Sequence, residues 1–123
     1  MATINIVDKD GNSIAATDAT VPSDRHFRDA WSLSGSVITE DVAASKILFR
    51  DKIREVRIPL LDAQDVVYMR ALEGADAAAQ AASVAVKKAL RDAPADSAIA
   101  SASTITDLKA AWDTDVLGDS PYA

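Results

Sequence analysis

His26 is the first candidate for chemistry, because it is the single histidine and an imidazole changes its charge near neutral pH. It lies in the segment Asp24-Arg-His-Phe-Arg28. A catalytic histidine needs a nucleophile to activate, and the sequence has no cysteine and no Gly-x-Ser-x-Gly pattern. We therefore expect His26 to have a structural or surface role, and we predict no catalytic residues and no enzymatic activity.

Two groups of oxygen-bearing side chains are candidates for metal binding. Asp8, Asp10 and Asn12 alternate like the first ligands of a calcium-binding loop. Such a loop has glycine at position 6 and glutamate at position 12, whereas here the glycine is at position 4 and position 12 is alanine. A hairpin turn explains this segment better. Asp62 and Asp65 lack the Glu-x-x-His partner of a carboxylate-bridged metal site, so we predict no metal and no cofactor.

Basic side chains could bind phosphate, and four lie close together in a predicted helix: Arg50, Lys52, Arg54 and Arg57. Acidic residues are interleaved with them, which predicts helix faces of mixed sign and intrahelical ion pairs. The net charge of -6 argues against nucleic acid and against an anionic membrane surface as partners. No segment is long and apolar enough for a membrane span. We expect a soluble chain made in the cytosol.

The elements that position these residues begin with a small β region, residues 1–38. Thr3–Val7 alternates apolar and polar residues, and Ile14–Thr17 follows after a turn at Asp10-Gly11, which predicts a hairpin. A second turn at Gly35 divides the segment from Trp31 to Ile38.

A helical hairpin is predicted over residues 39–92. Thr39 is the predicted N-cap, because two acidic residues follow it. Pro59 predicts a kink, or a break at Ile58 between two collinear helices. The apolar residues of the first helix recur at spacings of 4 and 3, which places six on one stripe: Phe49, Ile53, Val56, Leu60, Ala63 and Val67.

The second helix of the hairpin is rich in alanine. Gly74 is expected to end the first helix and Asp76 to cap the second. Its apolar stripe runs through Ala79, Ala82, Val86 and Leu90, and Pro94 ends it. Residues 93–123 are predicted to hold one short helix, carrying Leu108 and Trp112, and a loose tail. The predicted fold class is α+β.

The core is expected to be thin, because the 49% hydrophobic content is largely alanine and only 5% of residues are aromatic. A two-helix hairpin does not cover its own stripe, so we expect a homo-oligomer or a docking partner. Trp31, Phe49 and Trp112 are predicted core residues. Seven residues are the candidate interface: Phe49, Ile53, Val56, Leu60, Val67, Tyr68 and Tyr122.

Five segments carry a family resemblance: Arg25-His-Phe-Arg-Asp-Ala-Trp31, Val37-Ile-Thr-Glu-Asp41, Arg57-Ile-Pro-Leu-Leu-Asp62, Val67-Tyr-Met-Arg-Ala-Leu72 and Lys87-Lys-Ala-Leu-Arg-Asp92. Their order resembles small tail proteins of double-stranded DNA bacteriophages, of the tail fibre or tail assembly chaperone kind, over roughly residues 24–112. The resemblance implies a structural role in the virion tail through contacts with other tail or fibre proteins. The alternative is an assembly chaperone that leaves before the particle matures. The chain has no repetitive shaft, so host recognition by this chain alone is not expected.

Overall fold

The first element that the structure describes is a β-hairpin. The computed structural model describes residues 4–122, in which strand β1 (Asn5–Val7) pairs antiparallel with strand β2 (Ser13–Ala15). Gly11 has a φ of 86° in the connecting turn, where glycine is free of strain. The first predicted hairpin is present but shorter than expected. Ala16–Asp18 forms a 3₁₀ turn instead of continuing the strand, and Thr3 lies outside the described residues.

A second antiparallel hairpin joins strands β3 (Trp31–Ser34) and β4 (Val37–Glu40). Its two-residue loop begins with Gly35 at a φ of 64°, as in a type II′ turn. The predicted turn at Gly35 is confirmed. Thr20 forms a single parallel bridge to Val37, so the connector between the hairpins lies along the edge of the second one.

Helix α1 spans Val42–Glu73 and begins later than predicted. Thr39 pairs with Ser32 in the second hairpin and caps nothing, so its prediction as N-cap is wrong. Asp41 is the N-cap, and its carboxylate accepts a hydrogen bond from the backbone N–H of Ala44 at 3.1 Å. Of the two acidic residues after Thr39, Asp41 is therefore the cap itself and Glu40 ends β4, so neither lies in the first helical turn.

Pro59 lies inside α1, and the alternative of two collinear helices separated at Ile58 is wrong. Proline lacks the N–H that would bond the carbonyl of Glu55, and its ring crowds that carbonyl. Glu55 and Pro59 are both exposed, so water can hydrogen-bond the freed carbonyl and the helix continues.

The turn between the two long helices contains the predicted caps. Gly74 is the C-cap of α1, and Asp76 is the N-cap of helix α2 (Ala77–Asp92), where its carboxylate accepts from the N–H of Ala79 at 3.0 Å. Both predictions are confirmed. The residue with a left-handed backbone is Ala75, at a φ of 54°, whereas Gly74 has a helical φ of -80°.

Three short helices follow where one was predicted: α3 (Ser97–Ser101), α4 (Ile105–Ala110) and α5 (Thr114–Leu117). The hydroxyl of Thr104 caps α4 by accepting from the N–H of Asp107 at 3.1 Å. None of the helices within residues 4–122 is both long enough and apolar enough to cross a membrane.

The C-terminal tail packs on the core, which corrects the prediction that it is loose. Leu117 is buried, and the indole N–H of Trp112 donates to the carbonyl of Gly118 at 3.0 Å. The indole therefore fixes the chain where the last helix ends.

One hydrophobic cluster surrounds the N-terminal half of α1 and draws on all three predicted segments. The fold is α+β, with two small hairpins at the start of a long helical hairpin and short helices wrapped over the base of that hairpin. The predicted core positions Phe49 and Trp112 are confirmed, and Trp31 is also buried beside the cluster. The buried cluster consists of Phe27, Ala30, Phe49, Ile53, Leu90, Ile99, Ala102, Leu108, Trp112 and Leu117.

Candidate functional site

The N-terminal part of the apolar stripe is covered by the chain itself. Phe49 and Ile53 are 0% and 1% exposed in the core, so a partner would reach them only if the chain rearranged. Val56 and Leu60 are half-buried and pack against the same cluster. These four candidate interface residues therefore pack inside the chain, because the short C-terminal helices cover this part of α1.

The stripe emerges from the fold after Leu60. Ala63 is exposed and Val67 is 45% exposed. From residue 62 to residue 87 the helices α1 and α2 make their side-chain polar contacts with each other or within their own connecting turn. We call this segment, residues 62–87, the hairpin arm. A helix rises 1.5 Å per residue, so the arm extends about 18 Å from the core.

The interior of the hairpin arm contains small side chains and polar contacts. Ala71 and Ser83 are its buried residues. The hydroxyl of Ser83 lies 3.2 Å from the carbonyl and 3.0 Å from the side-chain oxygen of Gln64, and the amide of Gln80 donates to the carbonyl of Ala71 at 3.4 Å. Burial of an alanine and a serine contributes little hydrophobic free energy, so this arm gains little from its own packing.

Tyr68 and its neighbours form the side of the hairpin arm. The ammonium of Lys87 lies 5.0 Å from the centre of the Tyr68 ring and 2.5 Å from a carboxylate oxygen of Asp65. Lys87 thus combines a cation–π contact with an ion pair across the two helices. Asp65 and Asp62 are both exposed, and Asp65 forms the ion pair with Lys87. Among residues 4–122 the two carboxylates have no third His, Cys, Asp or Glu side chain with which they could hold a metal ion.

The outside of the hairpin arm carries large apolar side chains that this chain does not cover. Each is between 42% and 53% exposed. A single exposed apolar side chain is common on protein surfaces, but here six such side chains lie within 26 residues on two helices. They are Val66, Val67, Met69, Leu72, Val84 and Val86.

One flank of the helical hairpin is lined by apolar side chains, and Arg70 lies at its edge, seven residues after Ala63. Ile53, Leu60 and Val67 are seven residues apart and lie on one line of α1. On α2, Val86 and Ala89 lie one turn apart, and Ala89 lines the same cleft of about 490 Å³ as Ile53, in which Asp92, Asp96 and Asp113 also lie. The apolar flank, as we call it, is completed by alanines and consists of Leu60, Ala63, Val67, Ala79, Ala82, Val86 and Ala89.

Tyr122 belongs to an aromatic cluster within the chain. Its ring stacks on Phe27 and Phe49 at centroid distances of 4.9 and 5.4 Å and meets Trp112 edge-on at 6.0 Å. Burial, with a smaller contribution from the charge of Glu55, raises the pKa of the Tyr122 hydroxyl to about 12. Tyr122 was a candidate interface residue, and its ring is used chiefly to cover the core.

His26 lies in a shallow groove at the edge of this aromatic cluster. Its Nδ1 is 3.6 Å from Asp24, and Asp24 is 2.5 Å from the ammonium of Lys109. The hydrogen bond from Lys109 is the main cause that holds the pKa of the Asp24 carboxyl below its usual value. Asp24 is thus paired with Lys109. Among the described residues that line the groove, only Tyr122 carries a hydroxyl group. This geometry joins the N-terminal connector to α4.

Asp8 joins the two hairpins. Its carboxylate accepts hydrogen bonds from the backbone N–H groups of Asp10, Asn12 and Leu33 at 3.0, 2.8 and 2.8 Å. These bonds, that from Leu33 first, lower the pKa of Asp8. The predicted hairpin turn is confirmed, and within residues 4–122 no group of three or more His, Cys, Asp or Glu side chains is arranged for a metal ion.

The basic residues of α1 form the predicted ion pairs and also line a cleft. Two intrahelical ion pairs are present, Arg54 with Asp51 at 2.9 Å and Lys52 with Glu55 at 3.5 Å. However, Arg50, Arg54 and Arg57 line one cleft together with Arg91 of α2. The predicted intrahelical pairs are confirmed, and α2 supplies a fourth arginine that the local pattern of α1 does not contain.

Protein-family models, curated proteins and solved structures give no significant match to this chain.

Proposed function

We propose that this chain is a structural component of a bacteriophage tail, a small fibre, connector or accessory subunit, that acts through protein–protein contacts and carries out no catalysis. The observation that supports this most is the hairpin arm, with six large apolar side chains outside and only Ala71 and Ser83 buried inside. The sequence resemblance to small tail proteins is the reason for proposing a bacteriophage tail as the assembly to which the chain belongs. The chain would be made in the host cytoplasm and reside in the virion tail.

The hairpin arm gains stability if another protein surface covers it. Complete burial of a Val, Leu or Met side chain is worth about 1.5–3 kcal/mol, and roughly half of each remains exposed here. Covering the outer side chains therefore adds about 1 kcal/mol each. Several of them together offset the loss of translational freedom on association.

A second copy of this chain is the partner that the apolar flank favours. Each copy has a net charge of -6, so two copies repel wherever charged surfaces meet. The apolar flank, built by Val67, Val86 and alanines, lets helices approach closely with uncharged side chains at the centre of the contact. We propose a homo-oligomer in which arms pair on this flank, leaving the opposite surface for another tail or fibre protein. Neither nucleic acid nor membrane is a proposed partner.

The alternative is a tail or tail-fibre assembly chaperone, which would use the same apolar arm to cover a partner temporarily. Mass spectrometry of purified particles, compared with infected-cell lysate, separates the two functions. We expect the chain in mature particles at a fixed ratio to other tail proteins. Its presence in lysate complexes but absence from particles would establish the chaperone instead, and its absence from both would contradict both proposals.

Val67→Asp tests the proposed self-association. Because Val67 is nearly half exposed, a carboxylate there remains hydrated in the monomer but would be desolvated in the oligomer. We expect sedimentation to change from oligomer to monomer while the circular dichroism stays that of the folded chain. Leu60→Asp and Val56→Asp are poorer tests, because both side chains pack on the core and their replacement would unfold it.

Val66→Asp is the matched control. Val66 is 50% exposed on the same helix, but it lies 100° around the axis from Val67 and away from α2. We expect this variant to sediment like the unmodified chain. Equal sedimentation of both variants and the unmodified chain would contradict pairing through the flank.

A further inference from the structure

Four arginines meet at the C-terminal end of α2. Arg50, Arg54 and Arg57 are spaced by 4 and 3 residues, which places them on one face of α1. Arg91 lines the same cleft from α2, and Pro94 and Ala95 complete the lining of this arginine cleft, whose volume is about 410 Å³. None of its six lining residues is acidic. This is a local concentration of positive charge in a chain with a net charge of -6.

Backbone carbonyls hold two of the guanidinium groups in place. Arg50 donates through Nε to the carbonyl of Pro94 at 3.2 Å. Arg57 donates through Nη1 to the carbonyls of Leu90 and Arg91 at 3.4 and 3.0 Å. An arginine has five N–H donors, so each of these side chains retains donors after bonding the end of α2. The carbonyl contacts thus orient both groups before any ligand arrives.

The nearby acidic side chains neutralise only part of this charge. Asp51 pairs with Arg54 at 2.9 Å, and both side chains are more than half exposed, so the pair is weak and exchangeable. Asp92 pairs with Lys88 at 2.7 Å on the outside of α2. No carboxylate of residues 4–122 forms an ion pair with Arg50, Arg57 or Arg91.

We propose that the arginine cleft binds a small phosphate-class oxyanion, either inorganic phosphate or a phosphomonoester. Guanidinium groups bind tetrahedral oxyanions through paired N–H donors and remain charged at every relevant pH. The cleft is open and large enough to admit either anion. A long nucleic acid would also cross the acidic remainder of the surface, whereas beyond a Debye length of about 8 Å those charges are screened from a small ion. The inference is independent of the proposed tail function.

Arg91→Gln is the variant that tests this site. Its side chain makes no hydrogen bond to the end of α2 among the described contacts, so its loss leaves the fold intact. Titration calorimetry with inorganic phosphate, at constant ionic strength maintained with sodium chloride, measures the affinity. One charge-assisted hydrogen bond corresponds to about a 10-fold change, so we expect Arg91→Gln to weaken phosphate binding at least about 10-fold.

Lys52→Gln is the matched control, because it removes one positive charge from the same helix at a residue that does not line the cleft. We expect it to change the affinity less than about 2-fold. Equal weakening by both variants would show a non-specific charge effect and overturn the site. Failure of phosphate to bind the unmodified chain more tightly than chloride would overturn it as well.

Phenyl phosphate distinguishes the two sources of the anion. Tighter binding than inorganic phosphate identifies a phosphomonoester as the ligand, and weaker binding identifies the free ion. A duplex DNA oligomer and a poly-glutamate peptide complete the series. Binding of either of these polymers without binding of phosphate would overturn the proposal of a small ligand.

Discussion

Exchange of the two residues in the turn of the hairpin arm should stabilise the protein. The N–H of Ala75 bonds the carbonyl of Leu72 at 3.1 Å, and the N–H of Asp76 bonds that of Ala71 at 2.9 Å. This is the Schellman arrangement, in which the residue with positive φ is usually glycine. Here that residue is Ala75, at 54°, and the glycine stands one position earlier, at Gly74, in a helical conformation.

The magnitude follows from the backbone conformations. A left-handed conformation costs a residue with a Cβ about 1–2 kcal/mol. Ala75→Gly removes this cost but makes the unfolded chain more flexible, so its net gain is about 0.5–1 kcal/mol. Gly74→Ala reduces that flexibility, and its new Cβ would lie 3.4 Å from the nearest atom, the carbonyl oxygen of Arg70, so it gains a similar amount. The double exchange keeps the composition and should gain about 1–2 kcal/mol.

Urea and thermal unfolding followed by circular dichroism measure these gains. For a chain of this size we expect the double exchange to raise Tm by roughly 4–8 °C. Ala85→Gly is the control, because it makes the same chemical change at an exposed position inside α2, where it should cost about 1 kcal/mol. A lower Tm for Ala75→Gly, or the same sign for Ala75→Gly and Ala85→Gly, would refute the argument.

Two further predictions concern Glu40 and Tyr122. Burial, and secondarily the charge of Asp24, raise the pKa of Glu40 above its ordinary 4.5. The Glu40 carboxyl therefore holds its proton more tightly in the folded state than in the unfolded state. As the pH rises through the folded-state pKa, the protein loses stability. Glu40→Gln should therefore raise the urea midpoint at pH 7 and have little effect below about pH 4, and equal effects at both values would contradict this. Tyr122→Ala should cost about 2 kcal/mol in urea unfolding, because the ring is half-buried on Phe27 and Phe49, and an unchanged midpoint would show that the tail does not cover the core.

The local features of the fold could be predicted where a single residue type determines the backbone. Gly11 and Gly35 mark the two hairpin turns because they take positive φ angles, and Asp76 marks the start of α2 because its carboxylate caps a helix. The start of α1 could not be fixed this way. Thr39 and Asp41 are both good capping residues, and pairing of Thr39 with β3 decides between them.

The candidate site could be predicted only as a stripe. Spacing alone placed Phe49, Ile53 and Val67 on one line of α1, but it did not show which part of that line the chain would cover. The short C-terminal helices bury the first two and leave Val67 exposed. Pro59 was equally ambiguous, because whether a helix continues past proline depends on whether water can reach the freed carbonyl.

The sequence by itself determined which segments become hairpins and helices, because capping, turn and periodicity signals act within a few residues. Tertiary structure alone decided what those elements bring together. Arg91 is 34 residues from Arg57 along the chain, yet the Nη1 of Arg57 donates to the Arg91 carbonyl and both side chains line one cleft. Tyr122, near the C-terminus, covers Phe27 and Phe49. Such contacts depend on how the helices pack over the core, and no local pattern of residues encodes that packing.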